Sequence, residues 1–138
     1  MRLTTKELQY LSLFSQITGA FAKDCIVGRN TVTFVVGEGE MGLAIGKKGA
    51  NVKKLEQALG KKVGLVEFSS DPAQFIRNIF SPANVQRVNV VERNGKKLAY
   101  VILDGKDRRA LARRVDAKVR LARILASRHF GIHNVVVA

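Results

Sequence analysis

The sequence predicts an α+β protein built from two tandem units, each with the element order α-β-β-α-α-β. Three observations predict it. The order of helical and strand-like segments in the first half recurs in the second, as an internal duplication requires. The halves align without a gap over their middles: Thr31 to Val36 falls on Leu98 to Leu103, and Val52-Lys53-Lys54-Leu55 falls on Val119-Arg120-Leu121-Ala122. Four turn formers in succession, Ser69-Ser70-Asp71-Pro72, separate the two. The expected domains are therefore residues 1–70 and 71–138.

The first unit opens with Thr4-Thr5-Lys6-Glu7, a hydroxyl followed three residues later by Glu, the pattern of a capping box. Leu8, Leu11, Phe14 and Ile17 then recur at helical spacing, predicting one apolar face, and Gly19 is placed to end the helix. Asp24 to Gly28 and Thr31 to Val36 are β-type runs split by Arg29-Asn30, which predicts an antiparallel hairpin. A short helix is expected over Glu40 to Ile45, interrupted by Gly46 to Gly49. A second runs from Ala50 to Leu59 with Val52, Leu55 and Leu59 on one face, and Gly60 stops it. Val63 to Phe68 closes the unit as a strand.

In the second unit Pro72 to Phe80 is helical, and Val85 to Glu92 and Lys97 to Leu103 are strands. Asn94-Gly95 joins them, two residues that tolerate positive φ and so favour a tight hairpin. Helical sequence follows from Lys106 to Arg128, and Ile132 to Val137 is the last strand.

Composition narrows the function. Of 138 residues 46% are hydrophobic, which is enough to build a core. Lys and Arg total 24 against 11 Asp and Glu, a formal net charge of +13. Such an excess repels itself in a compact chain and favours a polyanionic partner, nucleic acid above all. The single cysteine, Cys25, excludes an intramolecular disulfide and a thiolate metal cluster, and its apolar neighbours predict a buried thiol. The N-terminal residues are polar and charged rather than a secretory signal, and no apolar run is long enough for a membrane span. A cytoplasmic protein without a membrane partner is expected.

The chemistry concentrates in Ile45-Gly46-Lys47-Lys48-Gly49, between two predicted helices. Glycines lack Cβ atoms, so the chain can turn sharply and a nucleic-acid backbone can approach. Amides entering the second helix carry its positive dipole end, and Lys47 and Lys48 add two cations. This set is suited to hold a sugar-phosphate backbone rather than to read bases. A Walker A loop is excluded, because only three residues separate Gly42 from Gly46 and Lys48 follows Lys47. Gly37-Glu38-Gly39-Glu40 lacks the third glycine of a dinucleotide fingerprint. His129 and His133 have no metal-binding context and no paired carboxylates mark a catalytic site, so neither enzyme activity nor a cofactor is expected.

Gly42-Leu43-Ala44-Ile45-Gly46-Lys47-Lys48-Gly49-Ala50-Asn51-Val52 resembles the KH signature, whose GXXG loop clamps about four nucleotides of single-stranded RNA. The whole chain resembles the archaeal NusA-like transcription factors. That resemblance implies two prokaryotic-type (type II) KH domains, each a three-stranded mixed sheet covered by helices. It also implies a role in transcription termination or antitermination through nascent RNA. Ile45 and Val52 would line the groove that accommodates the bases, beside an ordinary helix-helix packing role. Asn51 and Lys53 join them as candidate contacts. RNA polymerase and other transcription or translation factors are further candidate partners. A ribosome-associated or RNA-processing KH protein is the alternative function.

The second unit departs from this pattern. The alignment puts Arg113-Arg114-Val115-Asp116 where Gly46 to Gly49 stand, so a degenerate loop is expected there. Yet residues 71–138 hold 14 basic and 5 acidic residues, net +9, against 10 and 6, net +4, in residues 1–70. Arg109, Arg113, Arg114 and Lys118, within a cation-rich helical stretch, are the candidate phosphate contacts in this half.

Overall fold

The computed structural model describes residues 3–110 and 115–137. The chain divides into two compact units, Met1–Phe68 and Ser69–Ala138.

The first unit begins with α1 (Thr5–Thr18). Its capping box forms as the sequence predicts: the Glu7 amide donates to Thr4 Oγ1 at 3.1 Å and the Thr4 amide donates to Glu7 Oε1 at 2.9 Å. Gly19 ends the helix in the left-handed region, φ 73°. The buried face differs from the expected one. Phe14 is fully buried and Leu11 and Ile17 half-buried, but Leu8 is 54% exposed. At about 100° per residue, the positions in line with Phe14 are Glu7, Leu11 and Thr18. Leu8 lies one step off that line, and Glu7 takes the inner place in the first turn.

Strands β1 (Ala22–Val27) and β2 (Thr31–Val36) form the antiparallel hairpin, and β3 (Lys62–Glu67) pairs with β2 in parallel. Alternate residues reach the core: Cys25 from β1 and Val32, Phe34 and Val36 from β2, joined by Ala20. Phe14 stacks on Phe34 with ring centroids 4.6 Å apart. Helices α2 (Met41–Ile45) and α3 (Ala50–Leu59) complete the cluster, each through one fully buried side chain, Ala44 and Leu55. Gly60 ends α3 with φ 66°.

The second unit repeats the order. Helix α4 (Pro72–Phe80) starts with Asp71 as N-cap and proline in its first turn. Phe75, Ile76, Ile79 and Phe80 are buried. Strands β4 (Val85–Arg93) and β5 (Lys96–Leu103) are antiparallel, and β6 (Ile132–Val137) pairs with β5 in parallel. Asn94 and Gly95 take φ of 52° and 78° at the turn, as expected. Two helices, α5 (Gly105–Ala110) and α6 (Val115–Phe130), lie between β5 and β6 in sequence. Val119, Ala122, Leu125 and Ala126 line the buried side of α6. Helix α6 has 16 residues against 10 in α3, and Gly131, φ 64°, caps it where Gly60 caps α3. The gap-free alignment therefore sets β2 on β5 and α3 within α6, and lapses beyond, where the second unit carries extra helix. Both sheets are three-stranded and mixed.

Candidate nucleic-acid interface

The sequence Gly46-Lys47-Lys48-Gly49 folds as a tight turn between α2 and α3. The Gly46 amide donates to Gly42 O at 3.0 Å and ends α2; the Gly49 amide donates to Gly46 O at 3.1 Å and closes the turn. Because Ala44 and Leu55 anchor the flanking helices in the core, the loop is held from both sides. The backbone here is unusual. Gly46 has φ 77° and ψ 169°, a region open essentially to glycine alone. Lys48 (φ 55°, ψ 30°) and Gly49 (φ 75°, ψ 17°) are both left-handed. A non-glycine residue held there costs on the order of 1 kcal/mol.

Asn51 explains the first glycine. Its Nδ2 donates to Leu43 O at 2.9 Å, tying the first turn of α3 back to α2. A Cβ on Gly46 would lie 2.8 Å from Asn51 Cγ and Nδ2 and 2.9 Å from its backbone nitrogen. The space freed by the absent side chain of Gly46 is thus filled from within the protein. Around Gly49 it is open, with no heavy atom within 4 Å of the corresponding position. Sequence reasoning gave both glycines one task; the structure divides it.

Lys47, Lys48 and Lys53 are exposed, and among the described residues their ammonium groups have no hydrogen-bond or ion-pair partner. Ile45 is 39% exposed and stands outside the buried cluster, while Val52 is half-buried. Leu43 is also exposed, at 52%. The structure thus brings together glycine turn, helix N-terminus, free cations and accessible apolar side chains within residues 43–53. A chain that carries phosphates on one side and flat apolar bases on the other matches that combination.

In the second unit the candidate residues fare differently. Arg113 and Arg114 lie outside the described residues, and Arg109 falls within α5. Lys118, a candidate phosphate contact, is half-buried and hydrogen-bonded within its own unit. Its Nζ donates to Ile79 O at 3.2 Å and Ser81 O at 2.9 Å, neutralising carbonyls at the C-terminal end of α4. No sequence spacing reports this bond, which spans 37 positions and more. His129 packs edge-on against Phe75 with centroids 5.8 Å apart. Among the described residues no cluster of three or more His, Cys, Asp or Glu is arranged to hold a metal ion, and no helix is long and apolar enough to cross a membrane.

Comparison with known proteins agrees with this geometry. The KH domain family model matches residues 9–70. A protein of Methanocaldococcus jannaschii named "Probable transcription termination protein NusA" is 38% identical over 99% of this chain and 75% of its own. One of Halococcus morrhuae with the same name is 37% identical over the full length of both. The crystal structure of APE1850 superposes with a TM-score of 0.85 and 39% identity, covering 99% of this chain and 100% of that one. A KH loop built on this frame, with relatives matching nearly end to end, places the chain in the NusA family of transcription termination proteins.

Proposed function

We propose that this protein binds single-stranded nascent RNA and thereby takes part in transcription termination or antitermination, as a binding protein in the cytoplasm and not as an enzyme. The single observation that carries the proposal is the 46–49 loop: a strained turn braced by Asn51 that presents unpartnered Lys47 and Lys48 at the start of α3. Gly46 to Gly49 with Lys53 hold the backbone, and Ile45 and Val52 offer apolar surface to the bases. Asn51 serves the site through the loop's shape.

Residues 1–70 and 71–138 are read as tandem type II KH domains. The parallel pairing of the last strand with the middle one in both sheets supports that reading, as does the shared element order. The second domain lacks the glycine loop, and its RNA contact is electrostatic, through Arg109, Arg113 and Arg114. RNA polymerase and associated transcription or translation factors are the proposed protein partners, reached once the nascent strand is held.

The test is equilibrium binding of a short single-stranded RNA followed by fluorescence anisotropy. Gly46→Asp adds bulk beside Asn51 and a negative charge beside the phosphates, and is expected to lower affinity at least tenfold while circular dichroism shows a folded chain. Unchanged affinity in that folded variant refutes the loop assignment.

A further inference from the structure

The second unit has a cationic surface that its helices do not account for. In the β4–β5 hairpin Arg93 is paired with Lys96, Val91 with Leu98, Asn89 with Tyr100 and Arg87 with Ile102. Directly opposed residues of an antiparallel pair share a face. The other face, with Ala99, Val101 and Leu103, is the buried one. Arg87, Asn89, Arg93 and Lys96 therefore lie on the face turned away from the core, all exposed, around half-buried Leu98 and Tyr100.

The hairpin sorts its charges. Glu92 opposes Lys97 on the core-side face, an attractive pair, whereas Arg93 directly opposes Lys96 on the outer face, a repulsive one. Like charges directly opposite one another are unfavourable. Among the described residues no partner is found for the side chains of Arg87, Arg93 or Lys96. The Asn94-Gly95 turn fixes this register, so the repulsion is built into the fold.

We infer that this outer face of β4 and β5 is a second contact surface for single-stranded RNA, distinct from the 46–49 loop. Arg87, Arg93 and Lys96 take the phosphates and Tyr100 offers a ring to a base. A polyanion turns the like-charge pair from a cost into a site, and cations beside an aromatic ring form the platform that single strands use. Asn89 adds a hydrogen-bonding group between them. The inference rests on the single-stranded RNA binding proposed above and assigns it a further surface.

Full-length protein is titrated with two RNAs, one of about four nucleotides, the reach of a GXXG loop, and one of about fifteen. R93Q/K96Q is expected to bind the longer RNA roughly tenfold more weakly at 0.1 M salt. The slope of log K against log salt should be smaller by about 1.4, the increment for two phosphates on a single strand. The short RNA should bind as before, and the thermal midpoint should hold or rise as the repulsion is removed. R87Q, changed separately, should reduce the slope by about 0.7. Unchanged affinity and slope on the longer RNA overturn the inference and leave the basic tip to an acidic protein surface. Loss of short-RNA binding in Gly46→Asp alongside that result leaves the proposed function standing. If the wild-type chain binds neither RNA, both readings fall.

Discussion

An added methyl group at Gly46 meets Asn51 at 2.8 Å, and one at Gly49 meets nothing within 4 Å. Gly46→Ala therefore combines a clash with an unfavourable φ of 77°, whereas Gly49→Ala carries only the strain of φ 75°. Denaturant unfolding should show Gly46→Ala costing about 2–4 kcal/mol, Gly49→Ala about 1 kcal/mol, and Gly49→Asn less, since Asn tolerates the left-handed region. Asn51→Ala should lose about 1 kcal/mol with its hydrogen bond to Leu43 O. It should also weaken RNA binding although the side chain need touch no RNA. The residue types at 45–53 were legible in the sequence because glycine, lysine and spacing are local. The direction in which Asn51 turns was not, because it depends on how two helices meet.

Among the elements, those with chemically marked ends were the most legible. Thr4 with Glu7 and Asn94-Gly95 each satisfy a local backbone requirement and form as predicted, while Asp71, read only as a boundary turn former, also caps α4. Faces were less legible. Leu8 fits a three-residue repeat with Leu11, yet the inner line of α1 passes through Glu7, because three residues fall short of a helical turn. Leu8→Lys should accordingly change stability by less than about 0.5 kcal/mol, whereas Leu55→Ala, fully buried in the same unit, should cost about 2–5 kcal/mol. Lys118 belongs to this scale as well, since it joins α6 to the end of α4. Lys118→Met keeps the aliphatic stem and should lower stability by about 1–2 kcal/mol with no change in the salt slope of RNA binding. A fall in that slope by about 0.7 would return the residue to the phosphate surface.

At the scale of the whole chain, the repeated element order was visible because spacing persists through both halves, and the Halococcus morrhuae relative matches over their full length. What differs between the halves was only partly visible. Loss of the glycines at 113–116 is a sequence fact, and helical sequence running to Arg128 already marks a longer helix, but the exposed face of the hairpin becomes apparent only in three dimensions. Arg93 and Lys96 are separated by two residues in the chain, and the turn makes them direct neighbours on one face. With a net charge of +13, binding of any single strand should weaken steeply with added salt, by a slope of about 0.7 for each phosphate neutralised. A variant carrying Gly46→Asp in the first unit should retain the shallow, sequence-indifferent part of that dependence on long RNA.

Cys25 gives a practical consequence. It is the chain's one cysteine, 0% exposed and inside the Phe14–Phe34 cluster. A thiol reagent can reach it only when the first unit opens, so the labelling rate is a clock for that event. Destabilising the loop by about 1.4 kcal/mol should speed the clock roughly tenfold if opening is global. RNA held at Lys47 and Lys48 should slow it, reporting occupancy of the first unit without a dye on the RNA.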